Sequence, residues 1–171
     1  MTFWRMCRIS HPQHLTISHH KRRAAYILNL LPQLEKLLKF IETIKKNFEY
    51  LYNHLKKYKK YFILPQTTKS SDPSWFGFPI FVKEEAPFNR ADIVEYLETN
   101  KIATRMLFGG NLTKQPAYEN TKFRVVEDWK NTDLVMNNLF WIGVYPGITK
   151  AKINYIIRIF NNFFNTTFPN K

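Results

Sequence analysis

The stretch RMLFGGNLTKQPAY, residues 105 to 118, concentrates the side chains best suited to holding a polar ligand. An apolar run led by Arg105 stops at Gly109-Gly110, and a polar loop follows. Arg105 offers a planar fork of donors that matches a phosphate or carboxylate. Asn111, Thr113, Lys114 and Gln115 supply the mixture of donors and acceptors that a sugar or nucleotide needs. Pro116 stiffens the exit, and Tyr118 presents an apolar plate with a polar tip. An ordinary surface loop has similar ingredients, and spacing alone does not separate the two readings.

Other reactive residue types lie outside this loop. Cys7, His11, His14, His19 and His20 crowd the N-terminus. Structural zinc sites pair ligands two to four residues apart and repeat the pair across a fold-forming gap. No second half of that kind is visible, so no metal site is expected and the cluster reads as a His-rich tail. KKYKK, residues 56 to 60, with Lys45-Lys46 upstream, makes a basic helix studded with tyrosines. Tyr58 and Tyr61 on such a helix could stack on nucleic-acid bases. The alternative is a solvated face whose lysine stems lie over apolar neighbours. No groove-reading motif accompanies the charge, so nucleic acid is the rival partner rather than the expected one. His54, between Leu51 and Leu55, reads as a surface or packing residue. No carboxylate pair, Ser/His/Asp set or phosphate-cradling glycine loop stands out, and Gly109-Gly110 lacks the G-x-G-x-x-G frame. No catalytic residue is nominated.

The elements that must position these residues follow from periodicity. From Pro32 onward, Leu34, Leu37, Leu38, Ile41, Ile44, Phe48, Leu51, Tyr52, Leu55 and Tyr58 recur at three- and four-residue spacing. That is one apolar helical face, with Pro32 in the first turn and an end near Lys60, about 40 Å in all. A strand is expected over Trp75–Lys83, at an edge or irregular position because of Pro79. Asn89 is placed to cap a helix that carries Ile93, Val94 and Leu97 to about Asn100. KIATRMLF is the next strand, and FRVV a short apolar run. Thr132 or Asp133 is expected to cap a brief helix to Asn138. LFWIGVYPG is extended, and Thr149 caps a last helix with Ile153, Ile156, Ile157, Phe160 and Phe164 inward. The fold class is α+β: about three strands covered by helices, with one long N-terminal helix. The expected organisation is a poorly ordered tail over 1–31, the long helix over 32–60 and a small domain over 61–171.

Composition bounds the rest. Of 171 residues, 44% are hydrophobic and 16% aromatic, enough to build a core. The formal net charge is +13, but residues 1–60 carry +10 of it and residues 61–171 only +3. The basic excess therefore belongs to the first helix and the tail. No run approaches the ~18 apolar residues of a membrane span. A single cysteine excludes an internal disulfide framework and suits a reducing cytoplasm, the expected location.

The loop at 105–118, together with FWIGVYPGIT (140 to 149), resembles the C-terminal part of the DegT/DnrJ/StrS family of nucleotide-sugar aminotransferases and dehydrases. QLEKLLKFIETIKKNFEYLY, SDPSWFGFPIFVKEEAPFNR, KIATRMLFGGNLTKQPAY and NTDLVMNN extend the likeness over roughly 33–164, in the family's order. The nearest branch is that of the lipopolysaccharide-biosynthesis CDP-4-dehydro-6-deoxyglucose 3-dehydrases. The resemblance implies the small C-terminal domain of the type I pyridoxal-phosphate enzyme fold. It implies pyridoxal or pyridoxamine phosphate as the family's cofactor, with an iron–sulfur cluster in the 3-dehydrase branch. It also implies a large cofactor domain, or a homodimer partner, to work with. The Schiff-base lysine, or the histidine that replaces it, is not identifiable here, and Cys7 alone cannot hold a cluster. No cofactor is expected to bind this chain alone, and no turnover is expected from it alone. Residues 1–31 do not resemble the family; a shifted frame or a late start would account for them. By resemblance, Arg105, Asn111, Lys114, Gln115 and Tyr118 are the candidate contacts to a nucleotide sugar. Trp75, Phe76 and Trp141–Tyr145 are expected to build the sheet and pack against the large domain.

Overall fold

The computed structural model describes residues 19–126 and 128–167, with side chains over 32–126 and 128–166. Cys7, His11 and His14 lie outside the described residues, and His19 and His20 enter as backbone alone. The first helix, α1, spans His19–Leu55 and runs on into a 3-10 turn, Lys56–Tyr58. It starts well before the expected Pro32, which lies inside it. The reason is compositional. The segment before Pro32 has no apolar period to read, but its Lys, Arg, Ala and Leu are good helix formers. The chain divides within α1 into two compact units, residues 1–38 and 39–171.

In the second unit, four short strands form one antiparallel sheet. They are β1 (Phe62–Ile63), β2 (Gly77–Val82), β3 (Thr104–Met106) and β4 (Leu139–Gly143), in spatial order β1-β2-β4-β3. The strand beyond the three expected is β1, a two-residue piece of the apolar run after the long helix. Two residues carry no readable alternation; what makes them a strand is pairing of Phe62 with Val82. Pro79 was expected to mark an edge or irregular position. Instead β2 is central, and Pro79 pairs with Trp141 of β4. FRVV forms no strand.

Alternation decides which side of the sheet is covered. Phe78, Ile80 and Val82 of β2 face the core with Phe140 and Ile142 of β4, all 2% exposed or less. Leu51 and Leu55 of α1 join the same cluster. So do Ile93 and Leu97 of α2 (Arg90–Thr99), and Ile153, Ile157, Phe160, Phe163 and Phe164 of α4 (Lys150–Thr167). Each such burial contributes about 1.5–3 kcal/mol relative to exposure. Phe164 stacks on Tyr58 at 3.9 Å and on Tyr61 at 5.4 Å, tying the end of the long helical segment to α4.

Local signals set the helix ends. Asn89 caps α2 as expected: its Oδ1 accepts from Asp92 N at 3.1 Å, and Asp92 Oδ2 accepts from Asn89 N at 2.8 Å. A cap of this kind is worth about 1 kcal/mol. The same helix closes with Lys101 in the left-handed region, at φ 61°. Ile102 N donates to Leu97 O and Lys101 N to Glu98 O, both at 2.9 Å, the paired bonds of a left-handed helix stop. Thr149 caps α4 through Ile153 N to its carbonyl at 3.0 Å, with a longer contact from Lys152 N to its hydroxyl. The remaining helix, α3 (Lys130–Asn138), departs from expectation. Trp129 holds its N-cap position without a side-chain bond, while Thr132 and Asp133 lie inside the first turn. No described helix is long and apolar enough to cross a membrane.

Candidate functional site

The loop after β3 is fastened to the second unit at three levels. First, Glu98 at the end of α2 grips the strand. Its Oε1 accepts from Thr104 N at 2.6 Å and from Thr104 Oγ1 at 2.7 Å. Those bonds, the backbone one foremost, lower the Glu98 pKa, and the nearby Arg105 charge adds to the effect. Second, Arg90 of α2 donates through Nη1 to Met136 O at 2.6 Å, anchoring α3. Third, the loop itself is knotted to α3 through Asn111.

Asn111 is 2% exposed, and its side chain is engaged at both ends. Nδ2 donates to Asp133 Oδ1 at 2.8 Å. Oδ1 accepts from Thr113 N at 3.1 Å and Thr113 Oγ1 at 2.7 Å. Its backbone N–H lies 3.3 Å from Met136 Sδ. Lys114 Nζ donates to the other Asp133 oxygen at 2.7 Å. One carboxylate thus receives an amide and an ammonium from the loop. This use of Asp133 explains why it does not cap its own helix. Gln115 Nε2 donates to Gly109 O at 2.6 Å and pins the loop's two ends together.

Of the five candidate contacts, the structure therefore brings Asn111 and Lys114 onto Asp133 and joins Gln115 to the same loop. Arg105 and Tyr118 stand apart and exposed. Arg105 donates through Nη1 to Thr104 O at 2.9 Å. Tyr118 closes a 3-10 turn, Pro116–Tyr118, at 45% exposure. Sequence reasoning missed Asp133, Met136 and Phe108. The first two lie more than twenty positions from Asn111, with no local signal to couple them. Phe108 was read as the end of a strand, but it takes φ 44° and is 83% exposed. The Gly109-Gly110 pair after it was the one hint that the backbone leaves extended geometry there.

The knot carries a pH signature. The Lys114 hydrogen bond, then that from Asn111, holds the Asp133 carboxyl below its ordinary value. A carboxyl whose folded pKa is depressed contributes its full stabilisation above the unfolded value. That contribution is lost as pH falls through the folded pKa. The Asn111 side-chain amide resonances should therefore hold their positions down to about pH 4, the ordinary carboxylate range, and move below it. Asp133→Asn should abolish that titration. An Asn111 amide that moves near neutral pH would contradict the assignment.

Three cavities bear on chemistry. A cleft of about 600 Å³ between β4 and α4 is lined by Lys101, Lys152, Tyr145 and Tyr155 over an isoleucine floor, with no carboxylate. A hollow of about 190 Å³ lies beside the loop, walled by Trp75, Phe76, Pro79, Leu107, Phe108 and Trp141. It holds neither amine nor acid. The cleft near Lys83 mixes amine and acid: it holds Glu84 and also Asp92, which is engaged in the capping box of α2. A resident pyridoxal phosphate needs a phosphate cradle, an acid at the ring nitrogen and a base at the reacting carbon. The cleft beside α4 lacks the acid, and the aromatic hollow lacks both acid and amine. Among the described residues, no group of three or more His, Cys, Asp or Glu side chains is placed to hold a metal ion.

This architecture is that of proteins with the pyridoxal-phosphate aminotransferase fold. The chain superposes on an aminotransferase from Psychrobacter cryohalolentis with a TM-score of 0.70 over 78% of this chain and 36% of that one. At 14% identity, that match speaks for the fold alone. Residues 24–161 match the DegT/DnrJ/EryC1/StrS aminotransferase family, and the chain belongs to that family. The match opens at residue 24, inside the segment expected to fall outside it.

Three relatives narrow the likeness. The lipopolysaccharide biosynthesis protein RfbH of Salmonella typhimurium is 47% identical over 138 residues, covering 81% of this chain and 32% of its own length. The dTDP-4-dehydro-2,6-dideoxy-D-glucose 3-dehydratase of Saccharopolyspora spinosa is 41% identical over 78% of this chain and 29% of its own. The Escherichia coli GDP-4-keto-6-deoxy-D-mannose-3-dehydratase, solved with bound hydrated PLP, superposes with a TM-score of 0.66 at 27% identity. That superposition covers 75% of this chain and 33% of that one. The chain thus spans about a third of the length of the relatives it matches.

Proposed function

We propose that this chain is the substrate-side part of a pyridoxal- or pyridoxamine-phosphate enzyme that acts on a nucleotide sugar in lipopolysaccharide deoxysugar synthesis. The cofactor-holding part is supplied by further sequence or by a separate chain, and the reaction is 3-dehydration or amino transfer. One observation carries the reading: a polar loop in a chain 47% identical to RfbH is clamped rigidly to its domain, through Asn111 and Asp133. Clamping holds Lys114 and Gln115 near one another without an induced rearrangement, which favours binding. Arg105, Lys114, Gln115 and Tyr118 meet the ligand, and Asn111, enclosed by Asp133 and Thr113, positions them. The chain works in the cytoplasm, where sugar nucleotides are made, and does not turn them over unaided.

The nucleic-acid reading is the rival. Against it stand the aromatic groups it needs: Tyr58 and Tyr61 stack on Phe164, and Lys57 and Lys60 lie over those same two rings. A titration of the full chain followed by backbone amide shifts tests both. CDP-glucose, dTDP-glucose and GDP-mannose should each move resonances within 105–118 and leave Lys56–Lys60 unmoved. A single-stranded oligonucleotide should bind weakly and without preference. Micromolar oligonucleotide binding that weakens steeply with salt, centred on Lys56–Lys60, would reverse the choice. Turnover of a sugar nucleotide by the purified chain plus cofactor would sink the proposed dependence on a second part.

A further inference from the structure

The sheet's outer face carries an aromatic hollow built on Trp75, Phe76 and Trp141, on the side that the family resemblance turns toward the large domain. Trp141 forms its floor. Its indole lies so close over β2 that a Cβ at Gly77 would meet Trp141 Cε3 at 2.7 Å, so glycine there is what lets the ring lie flat. Trp141 Nε1 donates to Met106 O at 3.2 Å and fixes the plane of the ring. Phe76 stands edge-on to it, at 5.3 Å and 88°. Phe108 and Leu107 form the wall on the loop side. Phe108 is a bulky residue held in the left-handed region and 83% exposed, a combination that costs free energy twice over. Backbone strain of this kind concentrates at ligand clamps.

Size and charge select the occupant. At about 190 Å³ the hollow is smaller than the ~300–1,000 Å³ of a whole ligand site, so it suits one ring system of a larger molecule. Its walls are flat aromatic faces, which reward stacking by any heterocycle. Arg105 pairs directly with Trp141 across β3 and β4. Partners in an antiparallel register project to the same face, so the Arg105 side chain leaves β3 on the hollow's side of the sheet, with Nη1 donating to Thr104 O. Lys114 and Gln115 follow along the loop. A flat uncharged ring with an anionic tail fits this order of groups.

We propose that the hollow formed by Trp141, Phe76 and Phe108 is a base-stacking subsite for the nucleotide half of the substrate. The phosphates then lie toward Arg105 and the sugar toward Lys114 and Gln115. The inference rests on the nucleotide-sugar reading and adds where the base goes and what holds it.

The test compares ligands that carry one half each. Cytidine and guanosine 5′-monophosphate, cytidine itself and ribose 5-phosphate are titrated into the full chain, following the Trp141 indole N–H and the Phe108 amide. Both monophosphates and cytidine should shift those two signals, and ribose 5-phosphate should not. Phe108→Ala, an exposed site at which truncation leaves the core intact, should weaken the monophosphates and cytidine about tenfold. It should leave ribose 5-phosphate unchanged. Arg105→Gln should weaken the monophosphates and ribose 5-phosphate and spare cytidine. If the monophosphates shift the loop but neither Trp141 nor Phe108, the subsite is wrong and the nucleotide-sugar reading survives. If no ligand shifts any residue of 105–118, both fall. If Trp141 shifts with protein concentration in the absence of ligand, the hollow is an interface between copies and the proposal is overturned.

Discussion

Phe140→Ala should cost about 3–5 kcal/mol, the range for deleting a buried phenylalanine side chain. Phe140 is fully buried at the centre of β4, paired with Ile80 on one side and Met106 on the other. Its ring therefore fills space shared by two central strands and the helices over them, and no neighbour is free to collapse into the gap. Typical domains hold only ~5–15 kcal/mol in reserve, so a loss of this size consumes from about a fifth of it to all of it. The neighbouring Trp141→Ala supplies the contrast. Trp141 is larger but faces the outer side of the sheet, half covered, so its removal should lower stability less than removal of Phe140. Denaturant unfolding of both variants, followed by far-UV circular dichroism, reads the difference. Equal losses, or a larger loss at Trp141, would mean that the outer face is covered and that the assignment of inside and outside is mistaken.

That contrast also shows what a sequence of this kind makes legible. Alternation in GFPIFV and LFWIG marks inward and outward residues without any structure, and the Asn89–Asp92 pair announces its helix because both halves of the cap lie within three positions. The inward stripe of α4 was readable for the same reason: of its five expected residues Ile153, Ile157, Phe160 and Phe164 are buried and Ile156 partly so. What failed was non-local. β1 exists because Phe62 finds Val82, and Pro79 sits centrally because Trp141 pairs with it. Thr132 or Asp133 was expected to cap α3 on the strength of position, whereas Trp129 holds the cap position and a buried amide more than twenty residues earlier claims the Asp133 carboxylate. The site divides along the same line. The loop's chemistry was visible from residue types, and the family from its motifs. The inward turn of Asn111 and the outward turn of Phe108 depend on contacts that no spacing reveals.

Gly110 is where loop and domain should come apart with the least damage to either. It adopts φ +61°, and a Cβ there would meet Met136 Cγ at 2.4 Å and Sδ at 2.8 Å. Gly110→Ala therefore adds a left-handed penalty of ~1–2 kcal/mol to an overpacking cost of ~1–3 kcal/mol. The core contributes nothing to relieving this, because Met136 is tied to α3 and α3 to Arg90. The cheapest relief is for the loop to lift, breaking the bonds of Asn111 to Asp133 and Thr113. We expect the unfolding midpoint to fall less than in Phe140→Ala. The amides of Thr113, Lys114 and Gln115, which donate within the loop, should lose most of their protection from hydrogen exchange. Adding Met136→Ala removes the two shorter clashes but neither the 3.0 Å approach to the methionine Cβ nor the backbone strain. The double variant should therefore recover part of the protection and not all of it, a coupling that a double-mutant cycle measures directly. If Gly110→Ala instead leaves exchange in the loop unchanged, the loop is not held to α3 through this contact. A rigid platform for Lys114 and Gln115 would then have to be sought elsewhere.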